Sequence, residues 1–309
     1  MNTELPTDIS EFAAAALGRL RRVGGPQSAL RAETDDAPRD AARAALHDIG
    51  ASDLNVRDDA DDALAAALLC HAAGVVALPY PVVEDLLAID GARLALVERV
   101  APRIDHGDLP GEWIAADVDG RRYRAQPGAR TAAKLGPFLV SATLSEPQGT
   151  VPQADIDLHL VLGSWRILGA MQQCLDLTRE HVTARTQFGK TLSQFQAVRF
   201  SVADAAVAVR GLYELAKYTV CRFPTSPQAV RSSDALVLRL KAVDTALQVL
   251  RTSHQLHGAL GFCDESDISV IDRHIQPLVR LPLSGAELAR RLMATVRDGD
   301  LETLFSESV

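Results

Sequence analysis

Arg185-Thr186-Gln187-Phe188-Gly189-Lys190-Thr191-Leu192-Ser193-Gln194-Phe195-Gln196 decides how the rest of this 309-residue chain is read. Apolar residues recur at helical spacing on both sides of it. Leu158, Leu162, Trp165 and Leu168 precede it; Phe195, Val198, Val202, Ala205, Val209 and Leu212 begin in it and continue beyond. The stretch therefore reads as helix, turn, helix. Gly189 suits the turn, because a residue without Cβ adopts left-handed backbone angles without strain. Ser193 and Gln196 have the S-x-x-Q spacing of a capping box, which predicts the start of the second helix. Arg185 falls at the end of one helix and near the positive N-terminus of the next. Two roles are open to it. A guanidinium beside free backbone N–H groups can hold a phosphate or pyrophosphate. Equally, Arg185 and Lys190 can simply balance the negative C-terminal end of the first helix.

Working outward, Asp234 to Leu256 supplies a third helix and Gly285 to Val296 a fourth, with Pro277 and Pro282 making the path between them irregular. Four such helices predict a C-terminal four-helix bundle over residues 151–309. Trp165 lies on the apolar stripe and is expected in the core rather than against a ligand. Residues 92–150 change character. Leu94 to Val97, Trp113 to Val118 and Pro137 to Val140 are short apolar runs, separated by Gly, Pro and Asp, including the hairpin-type turn Asp119-Gly120. A small antiparallel β-domain is predicted. Residues 1–91 read as helices: Glu11 to Arg22, stopped by Gly24-Gly25-Pro26; Ala41 to Ile49, stopped by Gly50; Ala63 to Ala73; and Val82 to Leu87. The acidic run Asp58 to Asp62 lacks the alternating ligands and glycine of a calcium loop and reads as an acidic first turn.

Composition narrows the function. A 47% hydrophobic and 23% charged chain is globular. The formal net charge of -8 and an aromatic share of 5% argue against a nucleic-acid partner. No apolar run is long enough to span a bilayer, and Met1 to Asp8 has no leader pattern, so a cytoplasmic location is expected. Cys70, Cys174, Cys221 and Cys263 are scattered and form no C-x-x-C pair; reduced thiols are expected. His254 and His257 share a helix face, but no histidine has a Glu three residues before it, so no metal site is expected. There is no G-x-S-x-G elbow, phosphate loop or dinucleotide fingerprint.

R-T-Q-F-G-K-x-L-x-x-F-Q resembles the signature that joins two C-terminal helices in acyl-CoA dehydrogenases. His254-Gln255-Leu256-His257-Gly258-Ala259-Leu260-Gly261-Phe262 resembles the glutamine-plus-glycine segment of the same family and stands in the same order. The resemblance implies FAD as cofactor and oxidation of the α,β bond of an acyl-CoA thioester. In that family both segments reach across a subunit interface to the neighbour's FAD. Arg185, Gln187, Phe188, Phe195 and Gln196 match the first group of contacts; Gln255, Gly258 and Ala259 match the second, with Ala259 in place of a frequent glycine. The stretch from His71 to Pro81 is loosely similar to the family's N-terminal helical domain. The family's middle domain is longer than residues 92–150, and its Thr/Ser/Gly-rich flavin and pantetheine segments have no match here.

The family's catalytic base is usually a Glu before a Gly, some ten residues after an arginine matched here by Arg273. Ser284 stands in that place, before Gly285, and Glu287 reads as a solvated first-turn acid. A subset of the family places the base near the start of the first C-terminal helix, at or near His159 here, with Asp157 two residues away. His159 reads either as a solvated helix-start residue or as that base. No catalytic residue is therefore assigned to this chain. A kept FAD half-site beside an eroded flavin-and-base half-site resembles the short subunits of heteromeric, steroid-degrading bacterial acyl-CoA dehydrogenases. That resemblance implies a full-length partner subunit in an α2β2 assembly, or self-association, with electron-transfer flavoprotein as acceptor. The alternative is a non-catalytic helical scaffold that kept the fold and lost FAD.

Overall fold

The structure is a computed structural model that describes residues 6–130 and 135–297. The first five residues, part of the stretch inspected for a leader, lie outside the described residues. The chain begins with helices α1 (Thr7–Leu20), α2 (Pro26–Ala32), α3 (Ala37–Asp48), α4 (Ala60–Val75) and α5 (Val82–Leu86). The Gly-Gly-Pro group that breaks α1 also starts α2, a helix the sequence reading missed. Gly25 turns the chain at φ +107, and Pro26 opens the helix, where its missing N–H costs nothing. The acidic run before α4 is a cap: the Asp59 carboxylate accepts from the backbone N–H of Asp61 and Asp62 at 2.8 and 3.0 Å.

Five strands follow: β1 (Arg93–Leu96), β2 (Arg103–Ile104), β3 (Trp113–Ala116), β4 (Arg122–Pro127) and β5 (Val140–Leu144). They form one sheet in the order β1-β3-β4-β5-β2. An antiparallel sheet was expected, but this one is mixed, because β1 and β3 run parallel, with Arg93 opposite Trp113. The long connection through β2 is the crossover that a parallel pair requires. The other pairings are antiparallel. Asp119-Gly120 makes the β3–β4 turn, with Gly120 at φ +81. The run expected at Pro137 to Val140 becomes a strand only from Val140. One sheet face closes on a small core of Ala95, Val97, Ile104, Trp113, Ala115, Tyr123 and Ala125.

The C-terminal part comprises α6 (Gln153–Ala184), a hairpin of β6 (Thr186–Gln187) and β7 (Lys190–Thr191), then α7 (Gln196–Arg222), α8 (Gln228–His257), α9 (Asp267–Arg280) and α10 (Gly285–Arg297). Helices α6, α7, α8 and α10 are the four expected; α9 lies between the last two. Pro277 sits in the last turns of α9, where its carbonyl still accepts from Leu281 N–H at 2.8 Å. The buried Ile268, Ile271, Ile275 and Val279 give α9 a helical stripe.

Helix α6 is the axis of the molecule. It packs on α8 and α7 and, across another face, on α4. The crossing with α4 is made by glycines. A Cβ built on Gly74 would lie 2.8 Å from the Ala170 nitrogen, and one on Gly169 would lie 2.9 Å from the Val75 nitrogen. No side chain fits between the two backbones there. Trp165 is fully buried in the core, edge-on to Tyr213 at 5.9 Å and to His71 at 6.2 Å. The same apolar core runs from the N-terminal helices into the bundle. Cys70 and Cys174 are buried, and burial pushes both thiols up; Cys221 and Cys263 are partly exposed, and all four are free. Among the described residues no helix is long and apolar enough to cross a membrane.

Candidate functional site

The organising stretch folds as a β-hairpin set between two long helices. Phe188 and Gly189 take φ of +52 and +77, so both central residues of the two-residue loop are left-handed, as in a type I′ turn. Gly189 takes such an angle freely; Phe188 is strained there and yet 91% exposed. Its ring meets Phe195 edge-on at 6.4 Å, and the Lys190 ammonium lies 4.1 Å from the Phe195 ring centre. The expected capping box does not form. A 3-10 turn, Leu192–Gln194, intervenes, and α7 starts after Phe195 without a side-chain cap. Ser193 stands two residues too early to cap and exchanges a hydrogen bond with the Thr191 hydroxyl at 2.9 Å.

Arg185 ends α6. Its backbone N–H donates to the His181 carbonyl at 2.8 Å, and its own carbonyl accepts from Leu192 N–H at 2.9 Å, closing the hairpin onto the helix end. The guanidinium is exposed. With its amide oxygen turned toward it, Gln187 accepts from Arg185 Nη2 at 2.8 Å and Nε at 3.3 Å. No carboxylate pairs with Arg185 among the described residues. Gln196, the first residue of α7, is exposed, and Phe195 is half-buried.

The second segment ends α8. Gln255, Gly258 and Ala259 are exposed. Gly258 turns the chain at φ +60 with open space around it. His254 is held from both sides, by the Gly261 carbonyl at 2.8 Å and Asp272 at 2.9 Å. Both partners accept, so both ring nitrogens carry hydrogen; the bond to Asp272 raises the imidazole's affinity for its proton. The ends of α6 and α8 meet through His181 and His257, whose rings stack at 4.3 Å and 24°. The structure thus sets the two segments side by side, with their matched residues mostly facing outward.

The places read for a base are closed. Ser284 accepts from Glu287 N–H at 3.2 Å and so caps α10. Glu287 is bound by Arg290 at 2.6 and 2.7 Å and by Arg291 at 3.2 Å, and the bond to Arg290 chiefly holds it down to about 2. Asp157 accepts from Gln153, Gln228 and Ser232 at 2.7–3.0 Å. His159 is not solvated: it is 6% exposed, and burial, reinforced by the Arg239 charge, lowers it to about 3. It is a neutral core imidazole and a weak base. Its Nε2 stands 3.9 Å from the Glu84 carboxylate, beyond hydrogen-bond length. Glu84, which the sequence reading did not single out, is pushed up to about 7 by burial, with Arg166 pulling the other way. Its only sequence signal is an acid set in an apolar run. A cleft of about 550 Å³ on the sheet is lined by Asp90, Ile114, Arg122, Arg124 and Gln126 among others, and by neither Glu84 nor the two segments. Among the described residues no group of His, Cys, Asp and Glu could hold a metal ion.

Comparison with known proteins agrees with this architecture. Residues 160–278 match the acyl-CoA dehydrogenase C-terminal domain. Acyl-CoA dehydrogenase IpdE2 of Mycobacterium tuberculosis is 27% identical over 199 residues, which cover 62% of this chain and 59% of that protein. The chain thus spans about three fifths of the length of that curated relative. Among solved structures, a variant of the Tcur3481-Tcur3483 steroid ACAD superposes with a TM-score of 0.77 at 17% identity, over 96% of this chain and 99% of that one. The ChsE4-ChsE5 complex from Mycobacterium tuberculosis superposes at 0.78 and 15% identity, with the same coverage. Residues 160–278 thus form an acyl-CoA dehydrogenase C-terminal domain, and the chain as a whole has the fold of these solved structures.

Proposed function

We propose that this chain is a subunit of an FAD-dependent acyl-CoA dehydrogenase that completes the FAD site of a neighbouring chain. The observation that carries the reading is the exposed Arg185 corner. A guanidinium without a carboxylate partner stands beside a strained, exposed Phe188 and the open backbone at Gly258. Those donors suit a pyrophosphate, and the aromatic and glycine surfaces suit a flat cofactor pressed against them. Arg185, Gln187, Phe188, Phe195, Gln196, Gln255, Gly258 and Ala259 would hold it. FAD, when bound, supplies the acceptor for the hydride leaving the β-carbon of the thioester.

The partner supplies the glutamate base and most of the acyl-CoA pocket. In support, this chain's own base positions hold a capping serine and a buried neutral histidine. The assembly is an α2β2 heteromer whose substrate is an acyl-CoA, steroid-derived by likeness to the relatives, with electron-transfer flavoprotein as acceptor. Co-expression with the neighbouring gene's product tests the reading. The complex should be yellow, with one FAD per pair of unlike chains, and the chain purified alone should hold little flavin. Full flavin occupancy in the isolated chain would remove the half-site argument; a colourless complex would leave the helical scaffold.

A further inference from the structure

Two imidazoles meet where α6 and α8 end, and the proposed cofactor contacts do not include them. His181 lies one turn before Arg185, and His257 lies directly before Gly258. Their rings stack at 4.3 Å, nearly parallel. His257 Nδ1 is 2.9 Å from the Ser253 carbonyl, so it carries a hydrogen and leaves Nε2 free. No side chain hydrogen-bonds to the His181 ring among the described residues.

The surrounding charges are mostly positive. On α6, Arg185 acts on His181. On α8, His254 acts on His257. From α9, Asp272 is already bound to His254 at 2.9 Å and to Gln276 at 2.5 Å. Glu180, next to His181, is not among the charges acting on it. In the hairpin the Lys190 ammonium lies over the Phe195 ring, and the neutral Gln187 turns its oxygen to Arg185. The carbonyl ends of both helices favour a cation here. Burial comes first, and then mutual repulsion and Arg185 hold the His181 imidazole below its ordinary value. For His257 burial again leads, the Ser253 carbonyl opposes it, and His254 adds to the lowering.

We propose that His181 and His257 make the Arg185 corner a proton-linked site for a diphosphate group, gaining affinity by taking up a proton as the anion enters. This rests on the reading of that corner as a pyrophosphate contact and adds its regulation. A positive charge on either stacked imidazole is disfavoured by its neighbour and by Arg185, and a diphosphate at Arg185 offsets that repulsion. The free Nε2 of His257 then becomes a donor.

The test uses the flavin-free complex with the partner chain, with inorganic pyrophosphate and ADP as probes, in titration calorimetry at pH 6, 7 and 8. Two buffers of different ionisation heat are compared. Affinity should rise as pH falls, by up to about tenfold per pH unit for one proton taken up. The heats should differ between buffers by that proton. His181→Phe and His257→Phe keep a stacked ring and should flatten the pH profile; His181→Gln and His257→Gln serve if a ring change disturbs folding. Arg185→Ala should weaken binding at every pH while leaving the slope. A pH-independent wild-type affinity, a slope that survives in the histidine variants, or no binding of either probe at pH 6 overturns the inference. Flavin retained at full strength by an Arg185→Ala complex would instead overturn the underlying reading.

Discussion

Replacing Gly169 by alanine should drive α4 and α6 apart. The new Cβ would lie 2.9 Å from both the Val75 nitrogen and the His71 carbonyl carbon, and closer still to the His71 oxygen. Carbon contacts settle at roughly 3.5–4.0 Å, so the backbones must separate by about 0.6 Å or more. Both are helical backbone in a close-packed core and cannot rotate away as a side chain would. Overpacking of this kind costs about 1–3 kcal/mol, against a helix-propensity gain of up to about 1 kcal/mol for leaving glycine. The net is a loss. The internal control is Gly211 in α7, which is exposed and has nothing within 4 Å of a built Cβ. Gly211→Ala makes the same chemical change with only the gain. Thermal unfolding followed by circular dichroism should therefore move in opposite directions for the two variants. At roughly 2–4 °C per kcal/mol, the Gly169 variant should fall by several degrees. Gly74→Ala combined with Gly169→Ala should cost less than the sum, because one crossing is opened only once. An unchanged or raised midpoint for Gly169→Ala would refute the close crossing.

Arg185→Ala in the complex should release FAD without unfolding either chain. Losing a charge-assisted hydrogen bond costs about 1.5–3 kcal/mol, roughly ten- to a hundred-fold in affinity, read as flavin absorbance after gel filtration. Glu84, pushed up to about 7, keeps its proton in the fold longer than in the unfolded chain. Its contribution is complete below about 4.5 and lost as pH rises through about 7. Glu84→Gln, which mimics the protonated acid, should therefore gain on wild type between pH 5 and 8 in urea unfolding; a constant difference would contradict the assignment. His159→Ala should leave turnover of the complex almost unchanged. A loss above about a hundredfold with FAD retained, the range for removing a general base, would make this chain catalytic.

Long elements were legible because their signals are periodic. The stripe of Leu158, Leu162, Trp165 and Leu168 placed α6 and its buried tryptophan, and the Arg185 motif placed the joint with α7. Short-range choices were not. Phe188 takes a left-handed angle that its type disfavours, so nothing local announced a hairpin. Ser193 has capping spacing but spends its hydroxyl on Thr191, while the same spacing at Ser284 and Glu287 does cap a helix. Pro277 hid α9, although Ile268, Ile271 and Ile275 carried its stripe. The parallel pairing of β1 with β3 depends on where a crossover lands, which alternation cannot express. His159 read either as a solvated helix-start residue or as a base, from its place near a helix start. Its burial comes from α5 and β1 lying over that end, a tertiary fact. The facing of His181 on His257 is likewise invisible in one dimension, since 76 positions separate them.

Helix α6 runs unbroken for 32 residues. At 1.5 Å per residue, His159 and Arg185 stand about 39 Å apart along it. A small molecule gripped at the hairpin end is out of reach of anything beside Glu84, and the close-packed rod between them has no slack. The hairpin end and the Glu84 end of α6 are therefore chemically separate places in one subunit.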